Sequence, residues 1–194
     1  MGFSPSFNAL FSGGLVEQCI AIVQNNQEAA IAAYAANAFA PQYGGVLDSI
    51  NEYHKAEIAD PQTPCLTVTA ADEEPNKQVD QTQVRCYTGL IFVHLDVSCT
   101  DPDQLADWCP HYARLLDQIF STVTYGLAST AIWSTPMPIV WPAGTPSRHT
   151  AAFAPGAVKS MFLSRPHIGM VPGDETATPR KRISIALQFD MQET

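Results

Sequence analysis

Charge is scarce in this chain: only 15% of its 194 residues are Asp, Glu, Lys or Arg. Soluble domains usually carry nearer a quarter. Beside a hydrophobic share of 46%, so little charge suits a protein part of whose surface is covered by neighbouring subunits. Positive charge is scarcer still, with ten Lys and Arg against 19 Asp and Glu and a formal net charge of −9. Nucleic-acid binders use a basic stripe to displace phosphate counterions. The one dense basic run, Arg180-Lys181-Arg182, reads as charge flanking a strand rather than as a DNA clamp.

Metal and cofactor motifs are missing too. The five cysteines, Cys19, Cys65, Cys86, Cys99 and Cys109, include no Cys-x-x-Cys pair and are odd in number. Neither a zinc ribbon nor a disulfide framework is indicated, and buried free thiols in a reducing compartment are expected. No Gly-x-Gly-x-x-Gly, Walker A loop, Gly-x-Ser-x-Gly elbow or His-Glu-x-x-His spacing occurs, so no cofactor and no metal are expected. The apolar runs are too short for a membrane span. The stretch Met1–Phe7 lacks the basic region and apolar core of a signal peptide, and a soluble protein is expected.

What is present has the periodicities of one α+β domain over residues 1–194. Leu15, Val16, Cys19, Ile20, Val23, Ile31 and Tyr34 recur at three- and four-residue steps among many alanines, which predicts a helix over 14–39. The polar patch at 24–27 could divide it. Ser12-Gly13-Gly14 reads as the opening of that helix. Val46, Leu47, Ile50 and Tyr53 suit a second, short helix over 46–58. Cys65-Leu-Thr-Val-Thr-Ala70 alternates threonine with apolar residues and predicts a strand. Residues 71–77 read as an exposed acidic turn.

A long strand is predicted over 83–98. Ile91, Val93, Leu95, Val97 and Cys99 share one face, and Leu90, Phe92, His94, Asp96 and Ser98 the other, because side chains alternate along a strand. Such a strand is covered on both faces at its middle and turns polar at its end. Gly89 is a candidate bulge. Thr100 or Asp101 then caps a helix with Pro102 in its first turn and Asp103 opposing the dipole. Its stripe is Leu105, Trp108, Tyr112, Leu115, Leu116 and Ile119. Pro110 predicts a kink or a restart within it. Residues 126–157 form an irregular insertion rich in proline and tryptophan. Strands are expected at Val158–Ser164 and Ile183–Phe189, joined by a Pro/Gly loop over 165–179.

Two stretches invite a functional reading. His94 and Asp96 lie on one strand face, but a catalytic dyad needs a nucleophile and an orienting group within hydrogen-bond reach. Cys99 falls on the opposite face, and Asp101 and Asp103 are explained by helix initiation. Architecture is the reading favoured here, and no enzyme is expected. In the insertion, Trp133, Met137, Ile139 and Trp141 either fold back as a flap over the chain's own core or project toward a partner as interface anchors.

The order helix, strand, long strand, Asp-Pro-capped helix, irregular insert, strand, final strand is carried by Thr63-Pro-Cys-Leu-Thr-Val68, Gly89-Leu-Ile-Phe-Val-His-Leu-Asp-Val97, the helix Asp101–Phe120 and Ile183–Phe189. It resembles the tail-terminator (tail-completion) family of long-tailed bacteriophages. That resemblance implies a mixed, mainly antiparallel sheet flanked by two main helices, and no catalytic site. It also implies a hexameric ring in the virion neck, built in the host cytoplasm. The ring would cap the tail tube, meet tail-tube and head-completion proteins, and surround DNA without gripping it. The chain is longer than compact members of that family, and the 126–157 insertion has no obvious counterpart. Another neck or baseplate adaptor, a binding module using its tryptophan loop, and a small cytoplasmic hydrolase are the competing readings.

Overall fold

The computed structural model describes residues 6–35, 47–71, 74–75, 86–125, 158–171 and 178–192. Two helices, α1 (Ser6–Ala35) and α2 (Pro102–Tyr125), accompany seven strands. The strands are β1 (Glu52–His54), β2 (Cys65–Ala70), β3 (Glu74–Pro75), β4 (Cys86–Ser98), β5 (Val158–Leu163), β6 (His167–Met170) and β7 (Arg180–Gln192). They form one sheet in the order β1-β2-β4-β7-β5, with β3 joined to β4 and β6 to β7. Only β1 and β2 run parallel; β2, β3, β5, β6 and β7 pair antiparallel. This is the mixed, mainly antiparallel α+β architecture expected from the sequence.

Alternation decides which face is buried. Ile91, Val93, Leu95 and Val97 of β4 stand beside Ile183, Ile185 and Leu187 of β7 and Leu66 and Val68 of β2, all at most 1% exposed. Both helices pack on this face, since their buried residues belong to the same cluster. From α1 come Val16, Cys19, Ile22, Val23, Ala30 and Ile31; from α2 come Leu105, Tyr112, Leu115, Leu116, Ile119 and Phe120. The spacing in each is that of one helical face turned to a core.

Helix α2 begins as its sequence requires. Asp101 Oδ1 accepts from the backbone N–H of Asp103 at 2.9 Å and of Gln104 at 3.3 Å, which satisfies donors that have no partner inside the helix. Pro110 neither stops nor restarts it, for the helix is continuous from Pro102 to Tyr125 and Pro110 lies on the exposed side.

Several elements differ from their expected form. Helix α1 starts at Ser6 and includes Gly13 and Gly14, rather than opening at them, and it runs unbroken through 24–27. Gln24 and Asn25 are exposed, and the two that face inward do so for a reason: Asn26 donates to the Ile22 carbonyl at 2.7 Å, while Gln27 reaches across to residue 50. No helix forms over 47–58. Ile50 N–H donates to Gln27 Oε1 at 2.7 Å, and Gln27 Nε2 donates to the Ile50 carbonyl at 2.9 Å. The backbone groups a helix would have paired internally are taken by a side chain, so the chain continues extended into β1. Glu74–Pro75 adds a short strand where an acidic turn is expected. His167–Met170 adds another in the expected loop. The β4–β7 register is unbroken through Gly89; the shift falls in β5 between Val158 and Ser160.

The Gln27 bridge has a measurable consequence. Ile50 is 1% exposed, and its carbonyl also receives the Tyr53 hydroxyl at 2.8 Å, whereas its N–H relies on Gln27. Gln27→Ala is therefore expected to lower stability by about 1–3 kcal/mol, the usual cost of stranding a buried donor, as read by urea unfolding.

Candidate functional site

The sheet face away from the helices carries the polar chemistry. Strand pairing arranges it in rows. One row runs Glu52, Cys65, Asp96, Arg182, Gly169, and the next runs His54, Thr67, His94, Ser184, His167. Farther along, Phe92 pairs with Ala186 and Leu90 with Gln188. Leu90, Phe92, His94 and Ala186 are all half-buried. The polarity switch along β4 is thus as its sequence predicts, but both described helices lie on the other side.

His94 and Asp96 do share this face, yet each is bound to something else. His94 Nδ1 and Ser184 Oγ are 2.9 Å apart. Asp96 receives both ends of the Arg182 fork, Nε and Nη2, at 2.7 Å each. A serine beside a histidine has the makings of a nucleophile and base, but no carboxylate among the described residues bonds to His94 to orient it. Its ring stacks instead on Phe92, with centroids 6.1 Å apart. Burial first, and the Arg182 cation second, lower the His94 pKa. The result is a neutral imidazole packed in a sheet. Cys99 is engaged elsewhere, with Sγ 3.2 Å from Gln104 Oε1.

The basic run belongs to β7 rather than flanking it, and two of its members are consumed by carboxylates. Arg182 also forks onto Glu57 at 2.7 and 2.8 Å. Hydrogen bonding to Asp96, then to Glu57, raises its pKa against the effect of burial. Arg180 donates to Asp60 Oδ1 at 2.9 Å and to the Pro61 carbonyl at 2.8 Å. It lines a hollow of about 600 Å³, open to solvent, with Asp60, Gln62, Thr63 and Ser98. These ion pairs fasten the 57–61 segment to the sheet and leave little free positive charge there to attract phosphate.

At the β1 edge of the same face, Glu52, His54 and Cys65 converge, with one potential ligand atom from each lying within 4.8 Å of the others. Cys65 is 0% exposed. Burial, with Glu52 and Asp96 adding to it, pushes its thiol up to about 11. Cys19, Cys65 and Cys109 are buried free thiols, as expected, whereas the free thiol Cys99 is half-buried. Trp133, Met137, Ile139, Trp141 and the whole 126–157 insertion lie outside the described residues.

No family model matches the chain, and no curated protein matches it. Among solved structures it is similar to a chain of the "Virion of native gene transfer agent (GTA) particle", at 11% identity and a TM-score of 0.37, over 89% of this chain and 98% of that one. That likeness is too remote to bear on function.

Proposed function

We propose that this chain is a structural virion protein, a tail-terminator-like subunit whose copies close into a six-membered ring that caps the tail tube and meets the head. The observation that carries the reading is the one-sided core. Both helices cover one face of the sheet, while the second face presents Leu90, Phe92, His94 and Ala186 half-buried beneath neither. A sheet face of mixed apolar and polar character is a surface that a second subunit can complete. Ile168 and Met170, 40% and 70% exposed at the far edge, lie on the helix side of the sheet, since Ile168 pairs with the core residue Ile183. The net charge of −9 suits a lumen through which DNA slides without adhering. Trp133, Met137, Ile139 and Trp141 are assigned to contacts with tail-tube or head-completion proteins, where aromatic anchors give most of the affinity.

The test is direct visualisation with mass measurement. Purified chain, alone and mixed with terminator-free tail tubes, is expected to give six-membered rings at tube ends in negative stain. Trp133→Ala with Trp141→Ala should abolish capping while leaving far-UV circular dichroism unchanged. A protein that stays monomeric across concentrations and leaves the tubes bare would defeat the proposal.

A further inference from the structure

We propose that Glu52, His54 and Cys65 form a binding site for a zinc-class divalent cation at the parallel edge of the sheet. The placement follows from the strand pairing. Glu52 and His54 are two apart on β1, so both point to one face, and Cys65 is the register partner of Glu52 on β2. Tyr53, between them, packs on the helix side against the core. One carboxylate, one imidazole and one thiol are thus brought to a common point, with ligand atoms within 4.8 Å of one another.

The donors are also arranged as a metal would use them. His54 Nε2 is buried and has no hydrogen-bond partner, and it lies 3.4 Å from Glu52 Oε1. Tetrahedral zinc holds its ligand atoms about 3.3–3.8 Å apart, given bonds of about 2.0–2.3 Å. That pair already meets the requirement, and the Cys65 sulfur lies within 4.8 Å of both atoms. The other carboxylate oxygen, Oε2, accepts from the Gln62 backbone N–H, which fixes the carboxylate with Oε1 aimed at the imidazole. Outer hydrogen bonds of this kind orient metal ligands. A sulfur, nitrogen and oxygen set favours zinc over the oxygen-seeking cations magnesium and calcium. Side-chain exposures of 32% for Glu52 and 27% for His54 leave a path for entry and a fourth position for water. On binding, Cys65 gives its proton to solvent and the thiolate sulfur bonds to the metal. The effect is to clip a three-residue edge strand to the body of the sheet.

The experiment uses the full-length chain without a polyhistidine tag, under reducing conditions. Zinc is titrated against a chromophoric chelator, and cobalt(II) is the spectroscopic probe. One equivalent of zinc is expected, with a thiolate-to-cobalt charge-transfer band. Cys65→Ser should remove the band, and His54→Gln should weaken zinc binding at least about tenfold, while Cys99→Ser keeps both. Should Cys65→Ser lose its circular dichroism signature, Glu52→Gln and His54→Gln carry the same test from partly exposed positions. The assignment fails if the unmodified chain shows no such band, if the band survives Cys65→Ser in a folded protein, or if it disappears with Cys99→Ser. It fails equally if neither Glu52→Gln nor His54→Gln weakens binding.

Discussion

Asp96→Ala should destabilise the chain by about 3–5 kcal/mol, since removing one member of a buried ion pair strands the other. Arg182 is 11% exposed and Asp96 4%, so solvent cannot take the carboxylate's place. The loss is expected near the lower end of that range, because Glu57 still holds the guanidinium from its outer side. Glu57 is 53% exposed, and Glu57→Ala should cost less than about 1 kcal/mol. Arg182→Met combined with Asp96→Ala should recover much of the stability, as replacing a whole buried pair by apolar groups often does. Urea unfolding of the two singles and the double closes the cycle. An Asp96→Ala protein as stable as the original would mean that the pair is ornamental.

The second large effect contrasts neighbouring residues on opposite faces of β4. Leu95, 0% exposed under the helices, should cost about 2–5 kcal/mol when cut to alanine, through lost transfer energy and the cavity left behind. Phe92 is larger but only half-buried, and Phe92→Ala in the isolated chain should cost about 1 kcal/mol. Under the proposed ring assembly its effect should appear instead in association, as a lower mass by light scattering at fixed concentration. Equal losses for the two variants in the monomer would contradict a one-sided core.

How much of this was legible beforehand differs by element. β2, β4 and the Asp101-capped α2 could be read because period and cap agree: alternating Leu66, Val68, Ile91, Val93 and Leu95 leave one possible inner face. The segment 46–58 misled because Leu47, Ile50 and Tyr53 do face the core, at spacings a helix also gives. What made it extended was Gln27, 23 residues earlier, a tertiary contact that no local pattern contains. The same misreading hid the candidate metal site. Glu52-x-His54 places two ligands together only on a strand, and Cys65 joins them only through parallel pairing. The arginines of 180–182 looked like flanking charge because their partners, Glu57, Asp60 and Asp96, are 125, 120 and 86 positions away.

One detail at the β7 edge bears on how molecules of this kind avoid sticking to one another. β7 is covered there not by one long strand but by β5 and β6, six and four residues long. Between them Ser164 bridges: its N–H donates to the Ala186 carbonyl at 2.8 Å, and its Oγ accepts from the Ala186 N–H at 2.9 Å. A rim fragmented in this way, with residues 164–166 outside either strand, offers no long uninterrupted ladder for a foreign segment to zip onto. Fibrous stacking is discouraged at that boundary.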